Sequence, residues 1–233
     1  MRYLLFICTD PEAEPYRRDL DNVGSWVEEM DAKKIRLEGE RLKTPEHAVT
    51  LRKRGGQLLV TDGPFAESKE WIAGFDLIEC PDLDAAVEVA SRHPMARFGR
   101  IEVRPLNSDP SLQGVHHPIS DFAGLFLQLL CTDPESEPYK PNEDNIASWV
   151  KEMDAKGVLV QGHLLCPVQD ATLVRVRKDE VLVTDGPFAE TKEWVQGFGI
   201  LRCRDRAEAV EVSSSHPAAR FGRIEVREFW PFV

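Results

Sequence analysis

The chain has 233 residues, 42% hydrophobic and 30% charged, enough to bury a sizeable core in one large domain or two ordinary ones. Its 40 acidic residues outnumber 29 basic ones, and the net charge of −11 argues against nucleic acid or an anionic membrane as partner, since both need a cationic footprint. No apolar run reaches bilayer length, and MRYLLFIC meets Asp10, Glu12 and Glu14 too soon for a signal peptide, so a cytoplasmic protein is expected.

In chain order, Tyr3–Cys8 is a short apolar run that suits a strand buried on both faces. Val23, Trp26, Val27 and Met30 then recur at helical spacing, with Asp21 or Asn22 available as a cap. Ala48–Arg54 and Gln57–Thr61 flank Gly55-Gly56 and read as a hairpin with a two-residue turn. Phe75–Cys80 is a further strand, Asp82 caps a second helix, and Arg100–Arg104 alternates polar and apolar residues as the last strand.

The same order then repeats. LVTDGPFAESKEW at Leu59–Trp71 returns at Leu182–Trp194 with one change, Ser68 to Thr191. CTDPEAEPY, SWVEEMDAK and HPMARFGRIEVR also return, all at the same offset of 123 positions. The chain is therefore a tandem duplication: residues 1–106, a linker at 107–121 rich in Pro, Ser, Gly and Asp, and residues 122–233. Lys178-Asp179 replaces the two glycines of the turn, so that turn is expected to differ. The linker histidines His116 and His117 read as solvated, with no further ligand at metal-binding spacing.

The order β-α-β-β-(β)-α-β is the ferredoxin-like pattern, an α+β fold with two helices on one face of an antiparallel sheet. Both faces of the first strand are apolar, and helices cover only one. A second sheet is the natural cover for the other, so the two repeats are expected to pack sheet to sheet as an intramolecular pseudo-dimer. Whether this unit pairs again into a homodimer is left open.

At TDGPFAE-KEW, followed by HP-ARFGRIEVR, the chain resembles the DGPF-type branch of the YciI-like (YCII-related) family, over 1–106 and 125–229. The resemblance implies a dimeric α+β barrel, here within one chain. Its wider superfamily includes small-molecule enzymes such as muconolactone isomerases, and DGPF proteins are often encoded beside extracytoplasmic-function sigma factors, which points to regulation. The family's proposed His–Asp pair places the His on the first helix. This chain has Trp26 and Trp149 on those helices and no His, so that chemistry does not carry over directly.

Among residues shared by both halves, Asp62 and Asp185 precede Gly-Pro. They read either as Asx-turn formers at a sharp strand exit or as general bases facing a cleft. His93 and His216 precede proline at a helix end, where a protonated ring favours the helix dipole. Alternatively, they reach a pocket rim as proton shuttles. Lys69 and Lys192 are solvated charges or attract an anionic substrate. Asp10 and Glu12, with Asp133 and Glu135, read as turn starts before metal ligands. Arg52, Arg54, Arg97, Arg100 and their copies read as a solvated, acid-paired face. The five cysteines form no CxxC and read as reduced, buried thiols. No nucleotide, zinc-protease or serine-hydrolase motif is present, so no cofactor or metal is expected.

Some positions are not duplicated: Leu5 becomes Gln128, Asp76 becomes Gly199, His47 becomes Asp170 and Glu40 becomes His163. A Gln in an apolar strand is costly unless satisfied; if Gln128 faces the space between the sheets, the two pockets are inequivalent, and it joins the substrate-binding candidates. The functional expectation is a small polar or anionic metabolite bound beside the DGPF strands. If the chain is an enzyme, cofactor-free isomerisation or elimination fits, with Asp62/Asp185 as base and His93/His216 as acid. The alternative is a non-catalytic sensing or interaction module linked to a sigma factor.

Overall fold

The computed structural model describes residues 1–65, 70–108, 114–187 and 193–230. The first repeat contributes β1 (Arg2–Thr9), α1 (Val23–Ala32), β2 (Arg36–Arg41), β3 (Val49–Arg54), β4 (Gln57–Asp62), β5 (Ile72–Glu79), α2 (Leu83–Arg92), α3 (Met95–Phe98) and β6 (Gly99–Pro105). The second contributes β7 (Leu125–Cys131), α4 (Ile146–Ala155), β8 (Leu159–Leu164), β9 (Thr172–Arg177), β10 (Glu180–Asp185), β11 (Val195–Arg202), α5 (Arg206–Ser215), α6 (Ala218–Phe221) and β12 (Arg223–Glu228). None of the described helices is long and apolar enough to cross a membrane.

The fold is α+β, with two six-stranded antiparallel sheets, one in each compact unit. The first sheet runs β10-β9-β6-β1-β5-β2 and the second β4-β3-β12-β7-β11-β8. The strands β6-β1-β5-β2 and β12-β7-β11-β8 are each a ferredoxin-like sheet. The outer two strands of each sheet come from the other repeat. Leu51 of β3 pairs with Ile224 of β12, and Val174 of β9 pairs with Ile101 of β6. The hairpins are exchanged. The sequence pattern placed each hairpin in the sheet of its own repeat, because local periodicity finds a strand but not its partner. It also passed over β2, whose RLEGER is mostly charged, as suits an edge strand.

Local chemistry sets the elements. Asp82 and Asp205 cap α2 and α5, accepting from the amides of Ala85 and Glu208 at 2.9 Å. Asn145 caps α4, while Asp21 serves α1 through the Val23 amide. Gly55 and Gly56 turn β3 into β4 with φ of 55° and 79°. Lys178 and Asp179 adopt the same left-handed geometry, φ 51° and 65°, so the second turn matches the first despite its side chains. There the Lys178 amide donates to Glu14, and Arg97 pairs with Asp179 at 2.5 Å.

The helix-side core of the first unit gathers Tyr3, Leu5, Ile7, Trp26 and Met30 with Val174 and Val176 of the borrowed hairpin. That of the second gathers Phe126, Trp149, Met153 and Leu201 with the borrowed Val49 and Leu51. Each hairpin is also pinned by arginine. Arg177 and Arg100 hold Asp10 at 2.5 and 2.6 Å, and Arg54 and Arg223 hold Asp133. Burial pushes the Asp10 carboxyl up, but these guanidiniums and the Glu12 amide outweigh it and hold it below its usual range. Arg54, Arg97, Arg100, Arg177, Arg220 and Arg223 pair with acid as expected, but Arg100 is buried rather than on a solvated face. The linker histidines are exposed, as expected, yet tethered. His116 forms a bridge with Gln161 on the β8 edge, and His117 pairs with Asp154 at 2.7 Å.

Candidate functional site

The DGPF segment closes β4. Gly63 takes φ 106°, its amide donates to Ala48, and its carbonyl accepts from Thr50 Oγ1 at 2.9 Å. The Phe65 amide donates to Glu225 Oε2 at 2.7 Å and the Phe65 carbonyl accepts from Arg223 at 2.8 Å. Both partners belong to the RIEVR strand of the other repeat. The two recurring motifs hold each other across the exchanged hairpin. Burial raises the Glu225 carboxyl, while Arg227 and the Phe65 amide pull it back.

Asp62 points outward, exposed, and pairs with Arg206 at 2.6 Å. Asp185, at the end of β10, is exposed too. Among the described residues no hydrogen bond or ion pair joins either aspartate to His93 or His216. Lys69 and Lys192 lie outside the described residues.

The two histidines are buried in the helix-side cores. The Met95 amide donates to His93 Nδ1 at 3.1 Å, and the Ala218 amide donates to His216 Nδ1 at 3.0 Å. With Nδ1 accepting, each neutral ring carries its proton on Nε2. Trp26 packs edge-on against His93 and Trp149 against His216, both at 4.4 Å between centroids. Burial, joined by the nearby Arg36 charge, pushes His93 down to about 3, and burial alone does the same to His216. The protonated, dipole-facing histidine expected at these helix ends is therefore replaced by a neutral one.

The repeats then diverge. In the first, His93 Nε2 faces Asp76 Oδ2 at 3.6 Å, and Arg36 Nε donates to Asp76 Oδ1 at 2.6 Å. Burial pushes Asp76 up to about 6 against the pull of Arg36. In the second, the Arg36 position is Leu159 and the Asp76 position is Gly199. Leu5 pairs with Asp76 in the β1–β5 ladder, and Gln128 pairs with Gly199 in the β7–β11 ladder. Gln128 is buried and donates to Ser213 Oγ of α5 at 2.9 Å, so it turns to the helix side of its sheet and not to the space between sheets where the sequence reading set it.

Where the first repeat packs this ion pair, the second has a cavity of about 650 Å³ between α4 and its sheet, lined by Gln128, Trp149, Leu159, His163, Phe198, Gly199 and His216. His163 stands 5.7 Å from Phe198, centroid to centroid. A smaller, polar cavity of about 340 Å³ touches His93 in the first unit beside Asp19, Arg92 and Arg97. Sequence reasoning singled out His93, His216 and Gln128. It did not assign Arg36, Trp149 or His163 to a site, although Asp76/Gly199 and Glu40/His163 stood among the positions where the halves differ. Burial also raises the Cys8 and Cys131 thiols well above their ordinary value, so neither is a nucleophile near neutral pH.

An uncharacterised protein of Rhizobium meliloti (strain 1021) is 47% identical over 68 residues, a stretch covering 28% of this chain and 55% of that protein. The match thus spans about half the length of this relative. The model of the YCII-related domain matches residues 1–108 and again 125–233. With that domain matched over nearly its whole length, the chain belongs to the YCII-related family and carries its domain twice in tandem.

Proposed function

We propose that the chain binds a small organic molecule in the 650 Å³ cavity of the second unit, and that the matching region of the first serves the fold. The observation that carries this reading is Gly199. Where the first repeat fills the space beneath its buried histidine with Asp76 and Arg36, the second narrows it with Gln128 and Leu159, 3.2 and 3.4 Å from where a Cβ on Gly199 would stand, and keeps a cavity beside His216. The cavity has the size of a ligand site and a mainly apolar surface that includes Trp149 and Phe198, with polar groups from Gln128, Asn145, Lys151, His163 and His216 in the same lining. The reaction class that fits is cofactor-free proton transfer beside a carbonyl, isomerisation or elimination. In it, neutral His216 polarises the oxygen and His163 serves as the second titratable group. In this reading Asp62 and Asp185 close strands, as their exposure supports.

The test is a thermal-shift screen of small ketones, lactones and carboxylic acids against wild type and Gly199→Asp. Ligands that raise the melting point of wild type but not of the folded variant support the reading. Ligands that stabilise both equally remove it.

A second reading, docking of a regulatory protein such as a sigma factor, is favoured by the apolar edge strands. Val60 of β4 and Val183 of β10 are 49% and 48% exposed. Co-purification that survives Gly199→Asp and is lost in Val60→Lys would support it.

A further inference from the structure

The duplication records what the second cavity is built to hold. In the first repeat the Nε2–H of His93 looks at a carboxylate oxygen 3.6 Å away, and that carboxylate is held and neutralised by Arg36. In the second repeat both side chains are missing from the chain itself, as Gly199 and Leu159. The carboxylate that faces His93 Nε2–H thus has no counterpart at position 199 facing His216 Nε2–H.

Three observations set the chemistry of a ligand atom that meets this N–H. First, the cation that accompanies the carboxylate in the first repeat has no counterpart, because Leu159 is apolar and buried. A buried anion without a partner carries a large desolvation penalty, whereas a neutral oxygen needs only its hydrogen bond. His216 does not supply the missing charge, since burial keeps the ring neutral near physiological pH. Second, the acids on the cavity wall, Asp144 and Asp154, are paired with Arg220 and His117, and the Lys151 of the lining is exposed to solvent, where water and salt screen its charge. Third, the amide oxygen of Gln128 lies 3.2 Å from where a Cβ on Gly199 would stand, so it borders the vacated space as an acceptor. A neutral carbonyl or hydroxyl satisfies the imidazole N–H, and a hydroxyl also satisfies this oxygen. The remaining wall, including Trp149 and Phe198, is a surface for a ring.

Building on the binding role assigned to this cavity, we infer that its ligand class is small, neutral ring compounds bearing a carbonyl or hydroxyl oxygen, the oxygen standing where Asp76 stands in the first repeat. The anionic metabolite expected from sequence rested on Lys69 and Lys192, and the lining of this cavity favours a neutral ligand instead.

The test compares acetophenone with benzoate, near-isosteric rings that differ in charge at neutral pH, by calorimetric titration of the full chain. Acetophenone is expected to bind at least about tenfold more tightly than benzoate, and Gly199→Asp to weaken it by about tenfold or more. If that variant does not fold, Gly199→Ala replaces it, since its methyl meets Gln128 and Leu159 at 3.2 and 3.4 Å and trims the same space. Benzoate binding as tightly as acetophenone, and lost in Gly199→Asp, overturns the neutral class while the cavity keeps its binding role. Acetophenone binding unchanged in the variant, or neither probe binding, overturns both.

Discussion

Gln128 faces Gly199 across the β7–β11 ladder at the register where Leu5 faces Asp76 across β1–β5. The polar group has changed strands between the repeats, from β5 in the first to the partner strand β7 in the second. With it went the arginine: Arg36 has become Leu159. One repeat spends the space under its histidine on a buried ion pair, and the other keeps a cavity beside its histidine.

The ion pair can be tested as a pair. Asp76→Asn removes the buried carboxylate and leaves half-buried Arg36 with only the exposed Asp31, at 3.4 Å, as a charge partner, and is expected to cost about 1–3 kcal/mol in urea unfolding. The double variant Arg36→Leu/Asp76→Gly, which installs the second repeat's residues, is expected to recover at least about half of that loss. Additive losses would show that the two side chains stabilise the unit independently.

Acid should unfold the protein through its histidines. Both have folded values of about 3 against an ordinary 6.5, so the unfolded chain binds more protons over that window. Their contribution is complete above 6.5 and fades as pH falls toward 3. Asp76 has the opposite sign. Raised from 3.8 to about 6, it favours the folded state as pH falls across that interval and offsets one histidine there. The unfolding free energy is expected to drop on acidification below about pH 6, and His216→Gln to flatten the drop by roughly 1 kcal/mol per pH unit, read by urea unfolding at each pH. A variant profile parallel to wild type would show that His216 does not titrate in this window.

The recurring DGPF and RIEVR motifs predict an inversion of the usual guess about which acid matters. Asp62→Asn is expected to leave the melting point unchanged, because its ion pair with Arg206 is exposed. Glu225→Gln is expected to cost about 2 kcal/mol, because the buried carboxylate accepts from both the Phe65 amide and Arg227. Chemical denaturation of the two variants decides it.

The outer strands predict behaviour in concentrated solution. Leu58, Leu59 and Val60 on β4 are 42%, 37% and 49% exposed, on a sheet edge with unpaired backbone groups. Val60→Lys is expected to reduce concentration-dependent light scattering without lowering the melting point. A lower melting point would show that Val60 contributes to packing instead.

Much of this was legible from the residues. The repeat offset, the two capped helices and the ferredoxin-like order follow from periodicities that burial imposes on Val23, Trp26 and Met30 or on Tyr3–Cys8. The exchange of hairpins was not legible, because β3 carries the same alternation whichever sheet it joins. The edge strand β2 was hidden by its charges. Of the candidate site, His93, His216 and Gln128 were visible, and so was the Asp76-to-Gly199 difference. What was missing was the cross-strand register that sets Gly199 beside Gln128, a fact of pairing rather than of composition. Asp62 drew notice because it recurs, and what the sequence did not convey is that it stands exposed beside Arg206.

The exchanged hairpins also govern when the protein can fold. Phe65 and its anchor Glu225 are 160 residues apart in the chain. On a ribosome adding about 5–20 residues per second, β3 and β4 emerge roughly 10–30 s before β12 exists to receive them. Throughout that delay an apolar hairpin waits without its sheet, and during synthesis it is the segment for a chaperone to shield.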